Sequence, residues 1–229
     1  GANYDLIKMM VLFGMIIQGY IIYPELNKTF EKNDLNEVKK LMTFNFNIFI
    51  TVFLPLCVFI LYFNNSISDI FIGKKFTILS SELIPLFSMM FLFWGLKIHH
   101  FDYIFQLSEK TSLSMYILFF GSFINLLLNI FLIPRLKLLG AAYATFISYF
   151  IILLISLLIS RKLLKVVIDI KILIKTGIFL IMSLIISIVF SRFGFNDFIV
   201  MAIFISCYGV LSFKYNYKDL RPYFIKFYY

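Results

Sequence analysis

Two apolar stretches in the middle of the chain decide the fold: TSLSMYILFFGSFINLLLNIFLIP at residues 111–134 and LLGAAYATFISYFIILLISLLIS at residues 138–160. Neither stretch contains an Asp, Glu, Lys or Arg, and the short connection between them carries Arg135 and Lys137. A helix needs roughly 20 largely apolar residues to cross the hydrocarbon core of a bilayer. Each stretch is therefore predicted to be a membrane-spanning helix.

The composition of the whole chain indicates the same environment. Of 229 residues, 62% are hydrophobic and 14% are charged, and the mean hydropathy is +0.95, whereas soluble domains have about 25% charged residues. A soluble domain would expose much of this apolar surface to water, so that class is excluded. The net charge of +9 lies between apolar runs, which does not fit a nucleic-acid-binding surface.

Charge-free windows predict about seven membrane helices. Residues 41–68 form a third run without charge. Four further runs contain a charge near one end or are shorter: residues 3–24, 78–98, 172–191 and 198–213. Apolar and polar residues do not alternate as they do in a membrane β-barrel. The predicted fold class is all-α, a polytopic membrane protein in which Pro24 and Pro134 end helices and Pro55 and Pro85 kink them.

The distribution of Lys and Arg predicts the orientation. If the spans alternate, 14 of the 21 basic residues fall on one side and five on the other, while Lys8 and Lys97 fall inside spans. The positive-inside rule assigns the larger group to the cytoplasm, so the C-terminus is predicted to be cytoplasmic. A chain that begins outside at Gly1 without a secretory signal is unusual for a complete protein. We expect it to be the C-terminal part of a longer transporter.

No motif in the sequence indicates catalysis or a metal site. The chain has no GxSxG, HExxH or CxxC motif and no glycine-rich phosphate loop. His99 and His100 are adjacent, so their rings point about 100° apart on a helix. They are interpreted as caps of a span at the interface, and proton coupling is the alternative. Cys57 and Cys207 fall in apolar spans, where thiols act as small hydrophobic groups. We expect no metal, no cofactor and no enzymatic activity.

Two lysines inside spans are candidate substrate-binding residues. A cation in a span costs on the order of 3 kcal/mol on insertion scales, so it usually faces a polar cavity, pairs with an acid or snorkels to the interface. Lys8 and Lys97 both lie near span ends, and snorkelling is the favoured interpretation for Lys97. If either points inward, its ammonium suits an anionic substrate such as a diphosphate.

Asn125 and Asn129 are the other candidate substrate-binding residues. Together with Gly121 they repeat every four residues and so share one face of the fourth span. The next span carries Gly140, Ala144 and Ser148 at the same spacing. Small residues allow two membrane helices to approach closely and amides can bond across the contact, so helix packing is the favoured interpretation. The alternative is that the asparagines line a hydrophilic pathway.

The segment INLLLNIFLIPRLKLLGAAYATFISYFI, residues 124–151, resembles polysaccharide flippases of the O-antigen type. In those proteins an Asn-bearing helix ends in Ile-Pro, a short loop follows, and the next helix starts at Gly-Ala-Ala-x-Ala-Thr. A charged connection after Pro24 and a span containing Pro55 also occur in the family's order. The resemblance covers residues 10–160 and points to the multidrug, oligosaccharidyl-lipid and polysaccharide exporter superfamily.

The resemblance implies a fold of two pseudo-symmetric six-helix lobes around a central cavity, which in some members are followed by two extra helices. Residues 1–160 would form most of the second lobe, and residues 161–229 two further helices and a basic cytoplasmic tail. The first lobe is absent from this sequence. We expect it to lie in the missing N-terminal part or on a separate chain.

The function that the resemblance implies is the flipping of an undecaprenyl-diphosphate-linked oligosaccharide across the bacterial inner membrane for surface polysaccharide assembly. The expected partners are this lipid-linked substrate, membrane lipids and the missing N-terminal lobe. Lys8 is best placed to supply the cavity cation, with Lys97 behind it. A drug or small-molecule exporter of the same superfamily and a membrane-embedded enzyme of glycan assembly are the alternatives.

Overall fold

The computed structural model describes the backbone of residues 2–71, 77–164 and 170–228, which contain helices and turns and no strand. The helices are α1 (Ala2–Glu31), α2 (Leu35–Tyr62), α3 (Asn64–Phe71), α4 (Thr77–Leu96), α5 (Asp102–Leu107), α6 (Thr111–Leu163), α7 (Ile170–Arg192) and α8 (Asp197–Tyr228), and a π-helical turn, Lys97–Phe101, joins α4 to α5.

Six helical segments in this described part of the chain are long and apolar enough to cross a membrane. The longest, α6, has 53 residues and is broken at Lys137, whose φ of 51° and ψ of −124° are not helical. We name residues 111–136 α6a and residues 138–163 α6b. The break lies in the connection predicted between the two charge-free stretches. The all-α polytopic fold is therefore confirmed, and the six segments give the seven predicted spans because α6 contains two.

Two prolines that were predicted to end helices lie inside them. α1 continues through Pro24, and α6a continues through Pro134. A proline removes only its own N–H from the helix, and neighbouring groups can satisfy the carbonyl that this leaves free. α1 instead ends in a tight turn before α2, in which Asn33 has a φ of 57° and Asp34 accepts a hydrogen bond of 3.0 Å from the Glu37 N–H.

The main core lies among α1, α2 and α4, and the two C-terminal helices pack onto it. Val11 and Met15 of α1 are buried there together with Phe49 of α2. Leu180 of α7 and Phe204 of α8 belong to the same buried cluster. In a bilayer, close packing of this kind stabilises helix association mainly through van der Waals contact, because lipid is as apolar as the core.

Glycines allow α6a and α6b to approach closely at two levels, one beside the break and one farther along both helices. A Cβ at Gly140 would collide with the backbone of Leu132, and a Cβ at Gly121 would collide with the side chain of Ile152. Position 140 requires glycine because backbone atoms occupy the space that a side chain needs, whereas a side chain at position 121 would require Ile152 to change its conformation. The close approach of the two halves of α6 agrees with the packing interpretation of their small residues.

Candidate functional site

A buried ion pair occupies the π-helical turn. The backbone N–H of Asp102 bonds to the carbonyl of Lys97, five residues earlier, so the turn is wider than an α-helical one and brings these two side chains together. The Lys97 Nζ lies 2.7 Å from Asp102 Oδ2 and donates to Ser114 Oγ at 2.8 Å. Ser114 in turn donates to Asp102 Oδ1 at 2.7 Å. We name Lys97, Asp102 and Ser114 the ion-pair cluster.

The cluster explains how an ammonium is accommodated inside a span. The side chain of Lys97 is 1% exposed and that of Asp102 is 14% exposed. Snorkelling was the favoured interpretation for Lys97, yet its ammonium is held by a carboxylate and a hydroxyl within the helix bundle. Opposite charges and hydrogen bonds offset part of the cost of removing both groups from water.

A polar pocket of about 370 Å³ lies beside this cluster, between α4, α6a and α6b. Its lining residues are Trp94, Leu118, Gly121, Ser122, Asn125, Thr145, Ser148, Tyr149 and Ile152. Trp94 stacks on Tyr149 with ring centroids 4.7 Å apart, and the Lys97 Nζ lies 5.8 Å from the centroid of the Trp94 ring. Trp94 thus connects the pocket with the ion-pair cluster.

The two candidate asparagines share a helix face, as their spacing predicted. Asn129 Nδ2 donates to Asn125 Oδ1 at 2.9 Å. Asn125 Nδ2 contacts Thr145 Oγ1 at 3.4 Å, and Thr145 donates to the carbonyl of Ala141. Asn125 therefore joins α6a to α6b and also lines the pocket, so packing and pathway lining are compatible at this residue. Asn129 Oδ1 is buried and has no hydrogen-bond partner among the described residues.

Lys8 lies apart from the ion-pair cluster and from the lining of the polar pocket. Its side chain is exposed on α1, and its Nζ lies 5.9 Å from the centroid of the Tyr4 ring. Tyr4 packs edge-on against Phe91 of α4. Within the described ranges no carboxylate pairs with Lys8. Its ammonium is therefore available for an external anion, whereas that of Lys97 is occupied.

Sequence reasoning missed a second polar network, which joins α1 and α2 to the π-helical turn. Gln18 Nε2 donates to Asn45 Oδ1 at 2.6 Å, and Asn45 Nδ2 donates to the carbonyl of His99 at 2.7 Å. The Asn45 Nδ2 also lies 3.4 Å from His100 Nδ1. The amides of Gln18 and Asn45 inside predicted spans were the available signal, but their pairing depends on how the helices pack.

The two histidines and the buried cysteine have different surroundings and do not form a common site. His100 is buried against Phe46 instead of capping a span at the interface, and His99 Nδ1 lies 3.3 Å from the Tyr103 hydroxyl. Cys57 is buried in the core. Among the described residues no group of three or more His, Cys, Asp or Glu side chains could hold a metal ion.

Comparison with known proteins places these features in a family. A family model described as lipid II flippase MurJ matches residues 6–209, which include Lys8, the ion-pair cluster and the polar pocket. No curated protein and no solved structure matches the chain. The matched family moves lipid-linked precursors, is part of the superfamily that the O-antigen-type resemblance indicated, and consists of transporters rather than enzymes. The chain belongs to the lipid II flippase MurJ family.

Proposed function

We propose that the chain acts in a flippase that moves a lipid-linked precursor of the lipid II class from the cytoplasmic to the outer face of a bacterial inner membrane. The family match over residues 6–209 is the observation that carries this proposal. The buried ion pair and the polar pocket support it, because ionisable and polar groups inside membrane helices usually mark a transport path.

Lys8 is the residue to which we assign direct contact with the substrate. Its ammonium is exposed and has no acidic partner in the described part of the chain. A flexible point charge of this kind can bind the diphosphate that links lipid and sugar. Lys97 would have to leave Asp102 before it could do the same, so its role in substrate binding requires the ion pair to open. Asn125 and Asn129 offer amides for neutral polar groups.

A second candidate substrate is an undecaprenyl-diphosphate-linked oligosaccharide for surface polysaccharide. The O-antigen-type resemblance of residues 124–151 favours it. Both substrates present a diphosphate, so a cation at Lys8 would serve either one. The difference lies in the sugar and peptide part of the head group.

The proposal includes the orientation of the chain in the membrane and the position of a first lobe. The excess of Lys and Arg on one side of the spans supports a cytoplasmic C-terminus. The exposed face of α1 that carries Lys8 also carries Met9 and Phe13. We propose that a first lobe lies opposite this face and supplies the other wall of the cavity.

Depletion of the transporter in its own cell tests the function. We expect lipid II to accumulate in the cytoplasmic leaflet and cell-wall growth to stop. Accumulation of undecaprenyl-linked oligosaccharide with normal wall growth would favour the second candidate. Normal amounts of both intermediates, together with lost efflux of a drug, would contradict both and indicate the exporter alternative.

A further inference from the structure

Pro55 leaves a carbonyl without its usual partner in the interior of α2. Proline has no N–H, so the carbonyl of Thr51, four residues earlier, receives no helical hydrogen bond from position 55. Both residues are buried. An unsatisfied carbonyl inside a membrane protein is costly because no bulk water can bond to it.

Tyr208 of α8 supplies the missing hydrogen bond. Its hydroxyl donates to the carbonyl oxygen of Thr51 at 2.7 Å, across 157 positions of sequence. Phe204, one turn earlier on α8, lies against Phe59 and Phe63, with ring centroids 5.7 and 6.1 Å apart. α8 therefore contacts α2 on both sides of Pro55.

We propose that Tyr208 is a positioning residue for transport, which holds the C-terminal helices α7 and α8 against α2 at Pro55 so that these helices move as one unit. This inference rests on the proposed flippase function. Asn45, which lies six residues before Thr51 on α2, bonds to the π-helical turn through the carbonyl of His99. A movement of α2 is thereby passed to the turn that holds Lys97 beside the polar pocket.

A double-mutant cycle in the complete transporter tests this role. The variants are Tyr208→Phe, Pro55→Ala and the double variant, and Tyr116→Phe is the matched control because Tyr116 is exposed on α6a. The measurements are the rate of lipid II flipping in liposomes, the substrate concentration that gives half of the maximal rate, and the melting temperature in detergent.

We expect Y208F to slow the maximal flipping rate about three- to tenfold, the range of equilibrium change that one interhelical hydrogen bond in a membrane can account for. The half-maximal substrate concentration should stay unchanged, because the role proposed for Tyr208 is to position helices and not to bind the substrate. In P55A the backbone gains an N–H at position 55 that can bond to the Thr51 carbonyl. Adding Y208F should then lower the melting temperature and, where P55A is active, the rate by less than Y208F does in the unsubstituted protein. A part of the loss should remain, because the Tyr208 hydroxyl also bonds to Ser212. Y116F should behave like the unsubstituted protein.

Two outcomes would overturn the role of Tyr208: a Y208F flipping rate equal to that of the unsubstituted protein, or the same loss of melting temperature from Y208F with and without Pro55. The double-mutant cycle measured by melting temperature does not depend on the substrate, so it tests the role of Tyr208 even if P55A is inactive. If the protein flips no lipid-linked precursor but the melting temperatures of the three variants are non-additive, the proposed function is overturned and the contact of Tyr208 with α2 is not.

Discussion

At the scale of single residues, the two intramembrane lysines have opposite surroundings. Lys97 is buried and bonded to Asp102 and Ser114, whereas Lys8 is exposed beside Tyr4. From the sequence, both were candidate substrate-binding residues, because each is a cation near the end of a predicted span. The difference follows from the π-helical turn, which places an acid five residues after Lys97 on the same side of the helix.

Substitution at Lys97 should show that the ion pair acts as a unit. Lys97→Met leaves the carboxylate of Asp102 without its counter-charge, and we expect a loss of about 3 kcal/mol in the free energy of unfolding. The double variant Lys97→Met, Asp102→Leu removes both charges and should recover most of that loss. Reversible unfolding in mixed micelles measures both values, and equal losses in the two variants would contradict the coupling.

The same variants should change the environment of Trp94, the single tryptophan of this sequence. Its ring faces the ammonium of Lys97 and lines the polar pocket. A shift in tryptophan emission in K97M would show that the ring senses the charge of Lys97, and an unchanged emission would contradict the contact between them. Ser108→Ala, a change away from the cluster, provides the spectroscopic control.

Substitution at Lys8 tests the proposed contact with the diphosphate. Lys8→Ala should slow lipid II flipping about tenfold or more, because a hydrogen bond to a charged group is lost. Lys28→Ala is the matched control, since Lys28 is an exposed lysine near the other end of the same helix. Equal rates for the two variants, measured in liposomes, would show that Lys8 does not contact the substrate.

At the scale of the elements, breaks and irregular turns define where the polar groups meet. The π-helical turn presents the ion pair, and the break at Lys137 folds α6b back beside α6a. The polar pocket lies between these halves and α4. Regular helices alone would leave these side chains on separate surfaces.

The close approach of the two halves of α6 depends on Gly140. Gly140→Ala should lower the melting temperature, because the new Cβ meets the backbone of Leu132, which cannot rotate away. Gly177→Ala in α7 is the control, since no atom lies within 4 Å of its Cβ position. Alanine should leave that helix unchanged or stabilise it by roughly 0.5–1 kcal/mol. Thermal denaturation in detergent distinguishes the two, and an unchanged melting temperature for G140A would argue against tight packing.

At the scale of the whole molecule, the described helices form a bundle onto which α7 and α8 pack. The sequence division at residue 160 separates these helices from the rest, but Leu180 and Phe204 share a buried cluster with α1, α2 and α4. The C-terminal pair is therefore physically connected to the other helices, which is what allows Tyr208 to act on α2.

The orientation of the bundle is testable by single cysteines. In intact cells, a membrane-impermeant thiol reagent should label Arg135→Cys and Arg192→Cys but not Lys110→Cys or Arg161→Cys, because the positive-inside rule places the latter pair in the cytoplasm. All four positions are exposed. Labelling of the unsubstituted protein gives the background from Cys57 and Cys207. The reverse pattern would place the C-terminus outside.

The sequence alone was sufficient to predict the features that depend on whether a segment lies in lipid or in water. Charge-free runs predicted the spans because lipid excludes charge over the length of a helix, and the segment around Asn129 and Thr145 indicated the superfamily. The sequence did not predict that helices continue through Pro24 and Pro134. The energetic cost of a missing N–H depends on which neighbouring groups can bond to the free carbonyl.

The tertiary structure decided which polar groups have partners. The pairing of Lys97 with Ser114, of Asn45 with the His99 carbonyl and of Tyr208 with the Thr51 carbonyl joins residues on different helices. The pattern of apolar residues within one span contains no information about its neighbours. Composition and charge therefore determined that this chain lies in a membrane as a helical bundle, while helix packing determined which of its few polar groups are bonded and which, such as Lys8, remain available.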